Sequence, residues 1–172
     1  MIDRQSGDVI LSQGKRLGAS TTRSEFLASV LGRNAKKFVA NPPYCSYRVE
    51  TELLGGERFL VILFFNSERM EAVWLISLDA SPAASDEFGP EAEKAEFERK
   101  ESHDRWLTAA LGSTAPPPFA WGSALSAYDS RSMSSQIVVR YNQAAEEPAS
   151  PARTGNSTGG SKKCSPKARR KR

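Results

Sequence analysis

Seven consecutive apolar residues, Phe59-Leu60-Val61-Ile62-Leu63-Phe64-Phe65, lie between two turn signals, Gly55-Gly56 before them and Asn66-Ser67-Glu68-Arg69 after. The bounded stretch 57–65 is too short for an ordinary helix and apolar on both faces, so it reads as a central strand. The flanking segments confirm a sheet. Over 44–54, Tyr47, Val49, Thr51 and Leu53 alternate with Arg48, Glu50 and Glu52, as expected when one face meets a core and the other meets water. Gly55-Gly56 closes a two-residue hairpin, because both positions tolerate positive φ. Over 70–78, Ala72, Trp74, Ile76 and Leu78 alternate again, and the three segments form a meander.

Two helices frame this meander. Thr22-Arg23-Ser24-Glu25 is a capping box, and Phe26, Leu27, Val30 and Leu31 form an apolar stripe that Gly32 is expected to terminate. Residues 33–43 read as an irregular connection and 80–88 as a Pro/Ser/Ala linker. Pro90 then opens the longest element, 91–111, closed by Gly112. On its wheel Phe88, Ala92, Ala95, Arg99, His103, Trp106, Leu107 and Ala110 share one side, as in a helix laid across a sheet, and Phe97 falls off that side. After a proline spacer, 121–128 and 134–141 read as a second hairpin. With a short strand at 8–11, the order is β-α-βββ-α-ββ. The expected fold is α+β, a mostly antiparallel sheet of about five strands packed by one long helix.

Charge divides the chain. The net charge is +4 at pH 7, yet 148–172 contains eight basic residues and no acid. Residues 1–147 therefore hold 16 basic and 20 acidic side chains, a net −4. The segment 148–172 has no Phe, Tyr, Trp, Ile, Leu or Val, and a stretch with nothing apolar to bury cannot offset the entropy of ordering. The expected organisation is a single domain over 1–147 followed by a disordered basic tail. Lys162, Lys163, Lys167, Arg169, Arg170, Lys171 and Arg172 are the candidate anion or nucleic-acid contacts. Flexible cations attract phosphates by counterion release without reading sequence. Aromatic residues for base stacking are missing from that tail. No apolar run approaches a membrane span, and the polar N-terminus carries no export signal, so the expected location is the cytoplasm.

Chemistry-bearing residues are few. His103 is the only histidine, so any nucleophile–base pair must pass through it, but it falls on the apolar stripe. Cys45 sits in a strand with no indicated cation to activate it and reads as a small buried hydrophobe. Neither is expected to be catalytic. No glycine-rich phosphate loop or metal-ligand spacing occurs, so no cofactor or metal is expected. The carboxylates of the long helix scatter around it, with Glu96–Lys100 and Glu101–Arg105 as ordinary i, i+4 pairs on a solvated face. Glu91, Glu98 and Glu101 lie away from the core-facing stripe and are the candidate partner-binding residues, placed to steer a basic protein.

The stretch His103-Asp104-Arg105-Trp106-Leu107, Leu111-Gly112, Phe119-Ala120-Trp121-Gly122, Ser126-Ala127-Tyr128-Asp129 and Ile137-Val138-Val139-Arg140-Tyr141 resembles small uncharacterised bacterial proteins. Those proteins look like the cytoplasmic immunity or accessory partners found beside toxin genes. The resemblance spans about 8–142, carries no catalytic signature, and implies a rigid surface matched to one protein; the basic tail departs from it. The expected function is thus a non-enzymatic protein-binding domain whose partner is basic, a toxin being the kind implied. The alternatives are non-specific nucleic-acid binding through the tail and a small enzyme using His103.

Overall fold

The computed structural model describes residues 1–79 and 89–142. The linker at 80–88 and the expected tail at 148–172 lie outside the described residues. The elements in chain order are β1 (Val9–Ile10), β2 (Arg16–Leu17), α1 (Arg23–Ala28), α2 (Val30–Asn34), β3 (Lys36–Asn41), β4 (Tyr44–Leu54), β5 (Glu57–Asn66), β6 (Arg69–Ser77), α3 (Pro90–Leu111), β7 (Gly122–Asp129) and β8 (Ser134–Tyr141). The fold is α+β, as expected.

One six-stranded sheet in the order β3-β4-β5-β6-β8-β7 dominates, and every neighbouring pair in it is antiparallel. The apolar strand β5 is central, and Gly55 and Gly56 take φ of 63° and 94°, the left-handed turn its hairpin needs. β1 and β2 form a separate two-stranded ribbon.

Two expectations are corrected. Residues 36–41 are not irregular but form the edge strand β3, all six residues of which are exposed. The first helix does not run to Gly32. Ser29 ends α1 and caps α2, accepting the Gly32 N–H at 3.0 Å while its hydroxyl donates to Phe26 O at 2.6 Å. Gly32 is needed for a different reason: a Cβ there would lie 2.0 Å from Phe26 O. The break turns Leu27 and Val30 to solvent, leaving Phe26 and Leu31 in the core. The Thr22–Glu25 capping box is present in both directions.

The helices and the ribbon pack on one face of the sheet. Phe59, Val61, Leu63 and Phe65 of β5 join Tyr47, Val49, Val73, Leu75, Ile137 and Val139 beneath α3, α1 and the N-terminus. Trp106 of α3 packs edge-on against Phe59 and donates to Leu54 O at 3.3 Å. Phe26 packs on Tyr47 and Phe65. The Tyr141 hydroxyl lies 3.1 Å from Gly7 O and 3.2 Å from Leu17 O and ties β8 to the N-terminal turns.

The other face carries the alternate residues. Pairing places Arg48, Ile62, Trp74, Val138 and Leu125 in one row across it, and Ser46, Phe64, Ala72, Arg140 and Ser123 in the next. Ile62, Ala72 and Val138 are buried by their neighbours but do not belong to the main core. No described helix lies on this face.

Candidate partner-binding surfaces

Helix α3 organises both the inner chemistry and the outer surface. Its first turn holds Pro90, Glu91 and Glu93, where acids complement the helix dipole, and Gly112 closes it with φ of 85°. The inward side holds His103, Trp106 and Leu107 of the stripe read from the sequence, together with Glu96 and Leu111, which that stripe did not include.

His103 has no solvent exposure. Its Nε2 accepts the backbone N–H of Ser77 at 2.9 Å, which fixes the neutral tautomer with the proton on Nδ1. The ring stacks over Phe59 at 6.5 Å. Burial, and then the nearby Arg99 and Lys100 charges, push its pKa from 6.5 down to about 4. The imidazole therefore serves the junction between α3 and β6 and is closed off from solvent.

Glu96 departs from the sequence reading. It is 8 % exposed rather than solvated. Its Oε2 accepts the Ser135 backbone N–H at 2.9 Å and the Ser135 hydroxyl at 3.2 Å, while Oε1 pairs with Arg99. Lys100 instead pairs with Asp104, at 2.6 Å. Cys45 is buried as expected, but Arg23 Nη1 lies 3.6 Å from its sulfur, a cation that sequence spacing could not reveal. Among the described residues no group of three or more His, Cys, Asp or Glu could hold a metal, and no helix is long and apolar enough to cross a membrane.

The outward side of α3 brings the candidate acids together. Glu91, Glu93, Glu98 and Glu101 are all exposed. Glu91 and Glu98 are seven residues apart and so stand in one line, with Glu101 one turn beyond Glu98. Pro90, Glu93, Lys94, Phe97, Glu98 and Glu101 border one open depression. Within it Phe97 is 48 % exposed and stacks on Tyr128 of β7, their rings 5.0 Å apart. Lys94 is 4.0 Å from Glu98, an exposed pair. The arrangement is an aromatic ring bordered by Glu93, Glu98 and Glu101, with Glu91 outside the depression. Sequence reading found the carboxylates; it missed Phe97 beside them, because nothing local announces that β7 brings Tyr128 beneath it. Lys162, Lys163, Lys167, Arg169, Arg170, Lys171 and Arg172 lie outside the described residues.

No protein-family model matches the chain, and no curated protein matches it. Among solved structures it is similar to a chain of "Rhs1-CT in complex with cognate immunity protein RhsI1". The TM-score is 0.54 at 17 % identity, covering 82 % of this chain and 86 % of that one. At this identity the likeness is one of fold.

Proposed function

We propose that this chain is a non-enzymatic protein-binding domain, an immunity or accessory protein that engages a basic partner through the outward side of α3, a toxin being the expected kind. The observation that carries this reading is the exposed Phe97 bordered by Glu93, Glu98 and Glu101, with the exposed Glu91 in line with Glu98. Interface energy concentrates in a few aromatic anchors, while surrounding charges set the association rate and the choice of partner. The net −4 of 1–147 acts in the same direction. The similar fold occurs in a complex that includes a cognate immunity protein, which supports protein binding as the class of function. The reading of His103 as a base loses its support, since its Nε2 is already bonded inside the core.

The test is affinity capture from the source cells with the full chain as bait, beside a Glu91→Lys/Glu98→Lys/Glu101→Lys variant of unchanged melting temperature. The reading expects a basic protein retained by the first and lost by the second. The same proteins on both baits overturn it. A second reading, weak phosphate binding by the tail, is favoured only by the eight cations and no acid in 148–172.

A further inference from the structure

Glu93, Phe97 and Glu101 recur at four-residue intervals along α3, so the three side chains stand in one row on its surface with the ring in the middle. Eight residues of helix set the two carboxylates about 12 Å apart along the axis, each about 6 Å from the level of the ring. Tyr128 of β7 stacks on Phe97, the centroids 5.0 Å apart and the planes inclined by 28°, and supports a ring that is still 48 % exposed. An exposed ring held by a second ring is an ordered binding surface, so little freedom is lost when something covers it. Among the described residues neither Glu93 nor Glu101 is ion-paired, and Glu98 has the exposed Lys94 at 4.0 Å. The depression is thus lined by three carboxylates against one ammonium, a net −2, and Arg105 continues the row one turn beyond Glu101, outside it.

We propose that the depression around Phe97 is an arginine subsite: resting on the reading that a basic protein engages this side of α3, it seats one arginine of that protein with the guanidinium flat on the ring. Charge excludes an apolar occupant, because covering the ring with one would take Glu93, Glu98 and Glu101 out of water with nothing to pair them. Between the two cationic side chains the ring decides. A lysine ammonium is a compact, strongly hydrated point charge, served by the carboxylates alone, and the aromatic surface adds little to it. A guanidinium is planar and weakly hydrated, and it stacks on an aromatic face while its N–H groups stay free to donate within its own plane. Glu93 and Glu101, on opposite sides of Phe97, then accept from opposite edges of one guanidinium. Glu93, which charge patterning alone did not single out, takes part in this recognition, and Lys94 disfavours any second cation beside the first.

The experiment titrates the full chain, observed by NMR at constant ionic strength, with N-acetyl-arginine amide and N-acetyl-lysine amide, two probes of equal charge. The arginine probe should shift the signals of 93–101 and of Tyr128 saturably, with affinity about three-fold or more above that of the lysine probe. Phe97→Leu keeps an apolar side chain and removes the ring, and it should bring the arginine probe down to the affinity of the lysine probe. Glu93→Gln/Glu101→Gln should weaken the arginine probe about three-fold or more. Both variants change exposed side chains, and an unaltered melting temperature confirms that the fold is intact. The affinity capture described above decides whether a basic protein engages α3, and the probes decide what the depression selects. Arginine preference beside a captured set that the triple lysine variant leaves unaltered supports the subsite and counts against the α3 partner reading alone. Equal affinity of the two probes overturns the subsite by reducing it to unselective charge attraction, whatever the capture retains. Arginine preference that persists in Phe97→Leu, or shifts spread over the acidic surface without saturation, overturns it as well.

Discussion

The Nε2 atom of His103 accepts the backbone N–H of Ser77 at 2.9 Å, linking the middle of α3 to the last residue of β6. The bond satisfies a backbone donor buried where the strand ends, and it requires an uncharged ring. His103→Ala removes the acceptor and a fully buried side chain together, so it should cost about 2–4 kcal/mol of stability. Chemical denaturation measures this, and an unchanged midpoint contradicts it.

The same bond predicts a pH dependence. The His103 pKa is lowered to about 4 in the fold, against an ordinary value near 6.5 in the unfolded chain. Between those values the unfolded state binds the extra proton, so stability is full above pH 6.5 and falls as pH drops toward 4. The loss attributable to this group is about 3 kcal/mol at most. His103→Ala should flatten the wild-type slope across that window; an identical slope in both proteins contradicts the assignment.

Glu96 joins α3 to β8 through Ser135 and to Arg99 on its own helix. Glu96→Ala leaves a buried N–H without its acceptor and the Arg99 guanidinium without its counter-ion, so it should destabilise by about 3 kcal/mol. Glu101→Ala, on the exposed side, should change stability by less than about 0.5 kcal/mol. Equal effects of the two would place Glu96 on the surface.

These two residues mark the limit of what sequence carried. The meander and α3 were legible because their signals are local: a glycine pair at the hairpin, alternation in the neighbouring strands, and a proline and a glycine at the ends of α3. Which residues face the core was not legible, since a bulge after Val49 turns Leu53 outward and buries Leu54, and in β6 Val73 and Leu75 face the core rather than Trp74 and Ile76. β3 was not, because alternation records one-sided burial and Lys36–Asn41 is exposed throughout. Ser29 and Gly32 misled the helix boundary, since a serine that caps one helix and ends another looks like any helical serine. Glu96 resembled its neighbours until the β7–β8 hairpin folded over it. His103 was placed correctly on the buried stripe, whereas its partner Ser77 required the tertiary structure. For the outer surface, acids off the stripe were readable at Glu91, Glu98 and Glu101, and the Phe97–Tyr128 stack beside Glu98 and Glu101 was not.

Removal of 148–172 should leave Tm unchanged, because that segment has no large apolar side chain to contribute to a core. Any affinity for nucleic acid should vanish with it and, in the full chain, fall steeply with salt while ignoring sequence. A Tm several degrees lower, or binding that survives the deletion, contradicts this division of the chain.

Phe97→Ala truncates a half-exposed ring, so it should alter stability by about 1 kcal/mol or less. As the anchor of the α3 surface it should weaken binding of the captured partner about ten-fold or more. Affinity and melting temperature measured on the same preparation separate the two effects, and a variant that binds normally removes Phe97 from the interface.

The proposed function rests on carboxylates of α3 steering a basic protein, and the association rate constant reports that directly. With the captured partner, stopped-flow measurement of k_on for the wild type should fall as ionic strength rises, while k_off changes little. Glu91→Lys/Glu98→Lys/Glu101→Lys should slow association about ten-fold or more at low salt and flatten the salt dependence, with the fold intact. A k_on that neither salt nor the three reversals alter would contradict the account and move the interface off α3.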